Sequence, residues 1–243
     1  MFLEKNSVYV WHVVWKDYLH YKDVFWTILS LSEKKRAHQL LLASHKQQFI
    51  VTRGILRILI GYLLNQAPHA IAFTYTAAQK PQVINKQDLE FNISHTNNDV
   101  LYGFCLHTKI GIDIEDKVRK INIKSLASHY FSVRENAQLA LVANNLRLKA
   151  FLTGWSQKEA ISKAYGLGLQ MRFRQIEVNI KKGEPRLIQI HHRAFKHLKF
   201  LLYCVTIPNC YAVIAIHTLE KTFRIFHMKP IEHEFVRKMI ASP

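Results

Sequence analysis

The chain has 243 residues, 49% of them hydrophobic and 12% aromatic, enough to bury a core in one large domain or two modest lobes. Its 34 Lys and Arg outnumber its 17 Asp and Glu for a net charge of +17, so anionic partners are favoured: phosphorylated ligands, nucleic acid or an acidic protein. No apolar run approaches the roughly 18–20 residues of a membrane span, and the acidic Glu4 interrupts what a secretion signal would need, which excludes stable membrane insertion and points to a cytoplasmic protein.

In chain order, "SVYVWHVVW" is rich in β-branched and aromatic residues and predicts a strand. A helical block follows, with Ser32 as the expected N-cap before "EKKRAHQLL" and apolar positions from Phe49 to Leu64 at helical spacing, ending at the turn signal "NQAPH". "LEFNIS", "VLYGFCLH" and "KIGIDIE" then read as neighbouring strands. Ser132 with Glu135 three residues on has the capping-box pattern, and "LRLKAFLTGWSQKEAISKAYGLGL" predicts a long helix ended by Gly166 and Gly168. "FRQIEVNI", "PRLIQI", "LKFLLYCVTI" and "CYAVIAIH" return to strands. Cys105, Cys204 and Cys210 lie in such runs without CxxC spacing and are expected to be buried, reduced thiols.

The order strand, helices, strands occurs twice, broken near residue 108. This predicts an α+β protein of two similar lobes, 1–108 and 109–220, followed by a basic tail, 221–243, expected to pack on the second lobe. A docking helix and a membrane-surface helix are the other readings of that tail.

Within "GIDIEDKVRK", Asp113 and Glu115 are two apart on a strand and project from one face, while Ile112 and Ile114 point the other way into a core. Paired carboxylates repel unless a cation joins them, and hard oxygen donors suit Mg²⁺; a solvated edge strand is the plain alternative. On the long helix, Trp155, Glu159 and Lys163 are spaced four apart and share a face, as a functional acid and cation or as an ordinary surface ion pair. In "FNISHTNND", Ser94 and His95 end a strand where a hydroxyl and an imidazole can hydrogen-bond a phosphate, or serve only as turn residues.

Taken together and in this order, "FNISHT", "GIDIE", "FSVRE" and "WSQKEAISKAYGLGL" resemble the 4′-phosphopantetheinyl transferases of the large single-chain class that activates peptide and polyketide synthetases. The likeness covers roughly residues 30–170. It implies a pseudo-twofold pair of α+β lobes with the active site in the cleft between them. It also implies transfer of the phosphopantetheine arm of coenzyme A to a serine of an apo acyl or peptidyl carrier protein, with release of adenosine 3′,5′-bisphosphate.

By this resemblance Asp113, Glu115 and Glu159 hold Mg²⁺, with Mn²⁺ as a substitute; serine needs a base within hydrogen-bond reach, for which Glu159, or a metal-bound water relayed through it, is the candidate, with Lys163 the candidate general acid toward the leaving bisphosphate. Arg53, Lys80, Pro81, Ser94, His95 and Lys163 contact the coenzyme. Glu135 is either a further acid near the metal or a helix cap. A monomer is expected. The rival reading is a basic nucleic-acid-binding protein without catalysis; the spread of the basic residues and the acidic trio speak against it, so no nucleic-acid partner is expected.

Overall fold

The computed structural model describes residues 3–86, 88–166, 172–180, 185–220 and 222–241. The first lobe begins with β1 (Ser7–Val14) and continues through α1 (Lys22–Ile28), α2 (Leu31–His38) and the 22-residue α3 (Ala43–Leu64). A small hairpin, β2 (Phe73–Tyr75) and β3 (Pro81–Val83), precedes β4 (Leu89–His95) and β5 (Asp99–Leu106). The second lobe repeats the plan: β6 (Ile110–Asp116), α4 (Ile123–Tyr130), α5 (Val133–Ala140) and a second 22-residue helix, α6 (Asn144–Tyr165). It continues with the hairpin β7 (Ile176–Val178) and β8 (Leu187–Ile190), then β9 (Phe200–Ile207) and β10 (Cys210–His217), and the chain ends in β11 (Arg224–His227) and α7 (His233–Ala241).

The two sheets share one antiparallel order. In the first, β1 pairs β5, which pairs β4; in the second, β6 pairs β10, which pairs β9. The alternation of β1 divides its side chains as a strand must: Tyr9, Trp11 and Val13 enter the core beneath α3, while Val8 and Val10 face the second lobe. Ile110, Ile112 and Ile114 of β6 meet them there with Ile214 and Ile216 of β10, so the lobes are joined by an apolar layer of their own. The opposite face of β6 lies against α6, and Gly111 is what allows the approach. A Cβ at that position would stand 2.0 Å from the Ala160 carbonyl oxygen and 2.3 Å from the Ala164 nitrogen.

Four expectations are revised. The N-cap of α2 is Ser30, not Ser32; Ser30 and Glu33 form a full capping box, because Glu33 is the acid three residues on that can reach back. The helical block is two helices separated at residues 39–42. Residues 222–241 pack chiefly on the first lobe rather than on the second: β11 runs parallel to β1, and Ile231 and, from α7, Val236 enter the first lobe's core, while Phe223 joins the apolar layer between the lobes and its N–H donates to the Tyr203 hydroxyl of β9. Cys204 is exposed, since it faces outward on β9, whereas Cys105 and Cys210 are buried. Gly166 takes the left-handed conformation that ends α6, with φ +69°; Gly168 lies outside the described residues. Among the described residues no helix is long and apolar enough to cross a membrane.

Candidate active site between the lobes

The edge strand β4 of the first lobe meets β6 of the second. Asn92 Oδ1 accepts the Ile112 backbone N–H at 2.9 Å, bridging the two sheet edges. One step along, Ser94 donates to Asp113 Oδ1 at 3.2 Å. Lys163, from the last turn of α6, reaches the same point and contacts Asp113 Oδ1 at 2.7 Å and Ser94 Oγ at 3.0 Å. Three elements from both lobes thus converge on one carboxylate. The expected pairing along the helix gives way to this one: the Lys163 ammonium crosses to β6, while Glu159 stays at the cavity wall.

Asp113 is buried, and its second oxygen, Oδ2, has no hydrogen-bond partner. A buried carboxylate oxygen left bare costs about 1–3 kcal/mol or more, so its place is explained only if something else satisfies it. Glu115 and Glu159 flank it. Burial, and then the Asp113 charge, raises the pKa of Glu115 against the opposing pull of Arg119. Burial likewise raises Glu159, with Asp113 and Glu115 adding to the rise and Lys163 opposing it. For Lys163, burial alone would lower the pKa, but Asp113, its hydrogen bond, and then Glu159 and Glu115 outweigh that and leave it raised.

Asp113, Glu115, Glu159 and Lys163 line a cavity of about 1000 Å³, walled by Ser94, His95 and Thr96 of the first lobe and by Trp155 of α6. His95 is exposed on the rim; the water lost to the surrounding wall lowers its pKa, and Lys163 and His45 lower it further. Trp155 packs edge-on against Tyr130 and Phe173 and stacks on Phe151, which holds the face of α6 bearing Glu159. The acidic trio is more open than a closed metal cage. Among the described residues, the set of three or more whose donor atoms all lie within 4.8 Å is Asp99, Asp116 and Cys210, not these three. An open set accords with a hard ion that takes one or two carboxylates and completes its shell with phosphate oxygens and water.

A second cavity of about 450 Å³ adjoins the first and shares His95, Glu159 and Lys163 with it; Arg53, Lys80, Pro81 and Asn92 line its other wall. Arg53 is 8% exposed and lies against Phe49 and Phe73, and its Nη1 is buried without a partner. Lys80 borders the same cavity, but its ammonium is committed to the Ile110 carbonyl at 2.9 Å and to Glu90 at 3.4 Å, and burial lowers its pKa. Gln79, in the same loop, has φ +63°, a conformation that favours glycine.

Glu135 does not reach this site. It is fully buried, caps α5 through the Ser132 N–H, and binds Lys158 Nζ at 2.7 Å and the Val178 N–H at 2.9 Å. The sequence motifs did not single out the basic rim of the large cavity, Arg36, Arg119 and Lys120. Arg119 and Lys120 directly follow the acidic strand, and that adjacency was the available signal.

The sequence model of the 4′-phosphopantetheinyl transferase superfamily matches residues 109–208. The chain is 31% identical over 191 residues to the 4′-phosphopantetheinyl transferase HetI of a Nostoc species, covering 77% of this chain and 78% of that one. It is 31% identical over 151 residues to a putative 4′-phosphopantetheinyl transferase of a Synechocystis species, covering 61% of each. Among solved structures, the holo-[acyl-carrier-protein] synthase of Thermotoga maritima superposes with a TM-score of 0.38 at 20% identity, over 46% of this chain and 64% of that one.

Proposed function

This chain belongs to the 4′-phosphopantetheinyl transferase superfamily, and on that premise we propose that it moves the phosphopantetheine arm of coenzyme A onto a serine of an apo carrier protein, releasing adenosine 3′,5′-bisphosphate. The observation that carries this reading is the convergence on Asp113: a cation from α6 and a hydroxyl from β4 hold one carboxylate oxygen, while the other is left bare in a cavity that Glu115 and Glu159 also line.

The donors fit a hard divalent cation, since all three are carboxylates and one presents a buried, unsatisfied oxygen. Asp113, Glu115 and Glu159 would hold Mg²⁺, or Mn²⁺ in its place. When bound, the ion would supply positive charge to the diphosphate and its departing half. Glu159, beside the attacking serine hydroxyl, is the carboxylate that accepts its proton. Lys163 keeps its proton at neutral pH because its pKa is raised, so its part is that of a fixed positive charge beside the leaving bisphosphate, in place of the proton donor expected from the sequence.

Ser94 positions Lys163 and Asp113, and His95 offers a hydrogen bond at the rim. Arg53, which lines the adjoining cavity and has one buried guanidinium nitrogen without a partner, takes the phosphorylated ribose end of the coenzyme, and Pro81 forms part of that wall. Lys80 acts through the loop it anchors. The basic rim of Arg36, Arg119 and Lys120 steers an acidic carrier protein toward the cleft. We take the protein to act as a monomer in the cytoplasm; the nucleic-acid reading has no support.

The test is incubation with coenzyme A, Mg²⁺ and an apo carrier protein, followed by intact mass. Gain of one phosphopantetheine arm on the carrier is expected. An unmodified carrier across fatty-acid, polyketide and peptide types would overturn the proposal.

A further inference from the structure

Beside Glu115 in the sequence, a cluster forms from His12 within β1, Asp99 at the start of β5, Asp116 at the end of β6 and Cys210 at the start of β10. The first two belong to one lobe and the last two to the other. Asp116 and Cys210 are direct cross-strand partners, and Asp99 comes to them across the lobe junction. We propose that Asp99, Asp116 and Cys210, with Asp99 oriented by His12, form a second divalent-metal site of the zinc class that clasps the two lobes beside the cleft.

The distances carry this assignment. The Cys210 thiol donates to Asp99 Oδ2 at 3.7 Å and to Asp116 Oδ1 at 3.8 Å, contacts that a metal would replace with release of the thiol proton, and one donor atom from each residue fits within a common 4.8 Å. Zinc with a sulfur ligand at about 2.3 Å and oxygen ligands at about 2.0 Å in tetrahedral array places sulfur and oxygen about 3.5 Å apart. The donors therefore already stand near the spacing a bound ion imposes.

His12 Nε2 contacts the other oxygen of Asp99, Oδ1, at 2.6 Å, the kind of outer hydrogen bond that fixes a ligating carboxylate. Asp116 also lines the large cavity, which supplies an entry path and leaves the fourth position to water. The charge arrangement agrees. In a chain of net charge +17, two carboxylates converge on one thiol, and among the described ion pairs of Asp99 and Asp116 the one cationic partner is His12. A sulfur donor selects against Mg²⁺ and for a borderline ion, so this site and the carboxylate trio would be filled by different metals.

Co²⁺ added in excess Mg²⁺ reads the thiolate ligand directly. The expected result is a near-ultraviolet sulfur-to-cobalt charge-transfer band that saturates at equimolar Co²⁺ and is bleached by Zn²⁺. The band should be lost in Cys210→Ser and weakened at least tenfold in affinity in both Asp99→Asn and Asp116→Asn. It should be kept in Cys204→Ser and in Asp113→Asn. Absence of the band, its survival in Cys210→Ser, or its indifference to both aspartate variants would overturn the proposal, the last by reducing Cys210 to a solitary thiol. If Asp99→Asn does not fold, Asp116→Asn decides alone.

Discussion

The long helices of the two lobes are built alike and used differently. At the fifteenth residue of each stands a buried cation: Arg57 in α3 and Lys158 in α6. Each binds the glutamate of a capping box on the preceding helix, Arg57 to Glu33 at 2.7 Å and Lys158 to Glu135 at 2.7 Å. Each also donates to two backbone carbonyls beyond its helix, Pro68 and Ile71 in the first lobe, Phe173 and Ile176 in the second.

The next residue separates the lobes. The sixteenth position is the core residue Ile58 in α3 but Glu159 in α6. The twentieth is Tyr62, packed edge-on against Phe235 of α7, where α6 has Lys163. The same scaffold therefore closes one helix face with the C-terminal helix and leaves the other open to the cleft. A shared internal brace fixes the helix, and a few outward substitutions decide whether it carries chemistry.

The comparison is broken most severely at the open face. Asp113→Asn and Lys163→Ala are each expected to lower the transfer rate by on the order of 10²–10³, measured by intact mass, and Lys163→Ala should also lower the melting temperature in calorimetry, because it leaves the buried Asp113 without its cation. The shared brace is tested next. Lys158→Met should cost about 3–5 kcal/mol in denaturant unfolding, because it leaves the buried Glu135 without its cation, and Arg57→Met should cost less, because Glu33 keeps Arg53 at 3.4 Å. Only Lys158→Met should also lower kcat at temperatures where both variants remain folded, since α6 alone bears Glu159 and Lys163.

A smaller effect is expected at the strand under the open helix. Gly111→Ala forces a Cβ against the Ala160 carbonyl, and overpacking of this kind costs about 1–3 kcal/mol while pushing Asp113 away from Lys163. Kinetics should show a fall in kcat exceeding the change in coenzyme KM.

The smallest concerns pH. Glu115 has a raised pKa in the folded protein, so the folded state binds its proton more tightly than the unfolded chain does. Ionising it therefore removes stability as pH rises from its ordinary value of 4.5 through the raised one. Glu115→Gln should then melt at a higher temperature than the parent at pH 7 without added metal, and the difference should vanish near pH 4. An equal or lower melting temperature at pH 7 would show that Arg119 outweighs the repulsion.

Much of this was legible in the sequence because it depends on local period and spacing. The alternation in "GIDIE" fixed which side chains share a face, and the four-residue spacing in "WSQKEAISK" put Trp155, Glu159 and Lys163 on one stripe. The Ser132 and Glu135 cap was equally local. What else Glu135 binds was not, because Lys158, 23 residues on, shares its capping oxygen Oε2 and the Val178 N–H, 43 residues on, meets Oε1, both only through packing.

The same holds for Lys80, whose loop motif suggested a ligand contact but whose amine is drawn inward by Glu90 and the Ile110 carbonyl. The Ser30 cap was available as Ser-x-x-Glu and was missed in favour of the serine nearer the apolar run. The tail's return to the first lobe rests on a parallel pairing of β11 with β1 across more than 200 residues, which no local pattern encodes.

The central claim is that the bare oxygen of Asp113 and the carboxylate of Glu159 serve a cation that phosphopantetheine transfer requires. The most direct measurement is Mn²⁺ binding, followed by electron paramagnetic resonance in the presence of coenzyme A, in the parent and in Asp113→Asn and Glu159→Gln. The account predicts one coenzyme-dependent site in the parent and at least tenfold weaker binding in both variants. Parental affinity in both would contradict it.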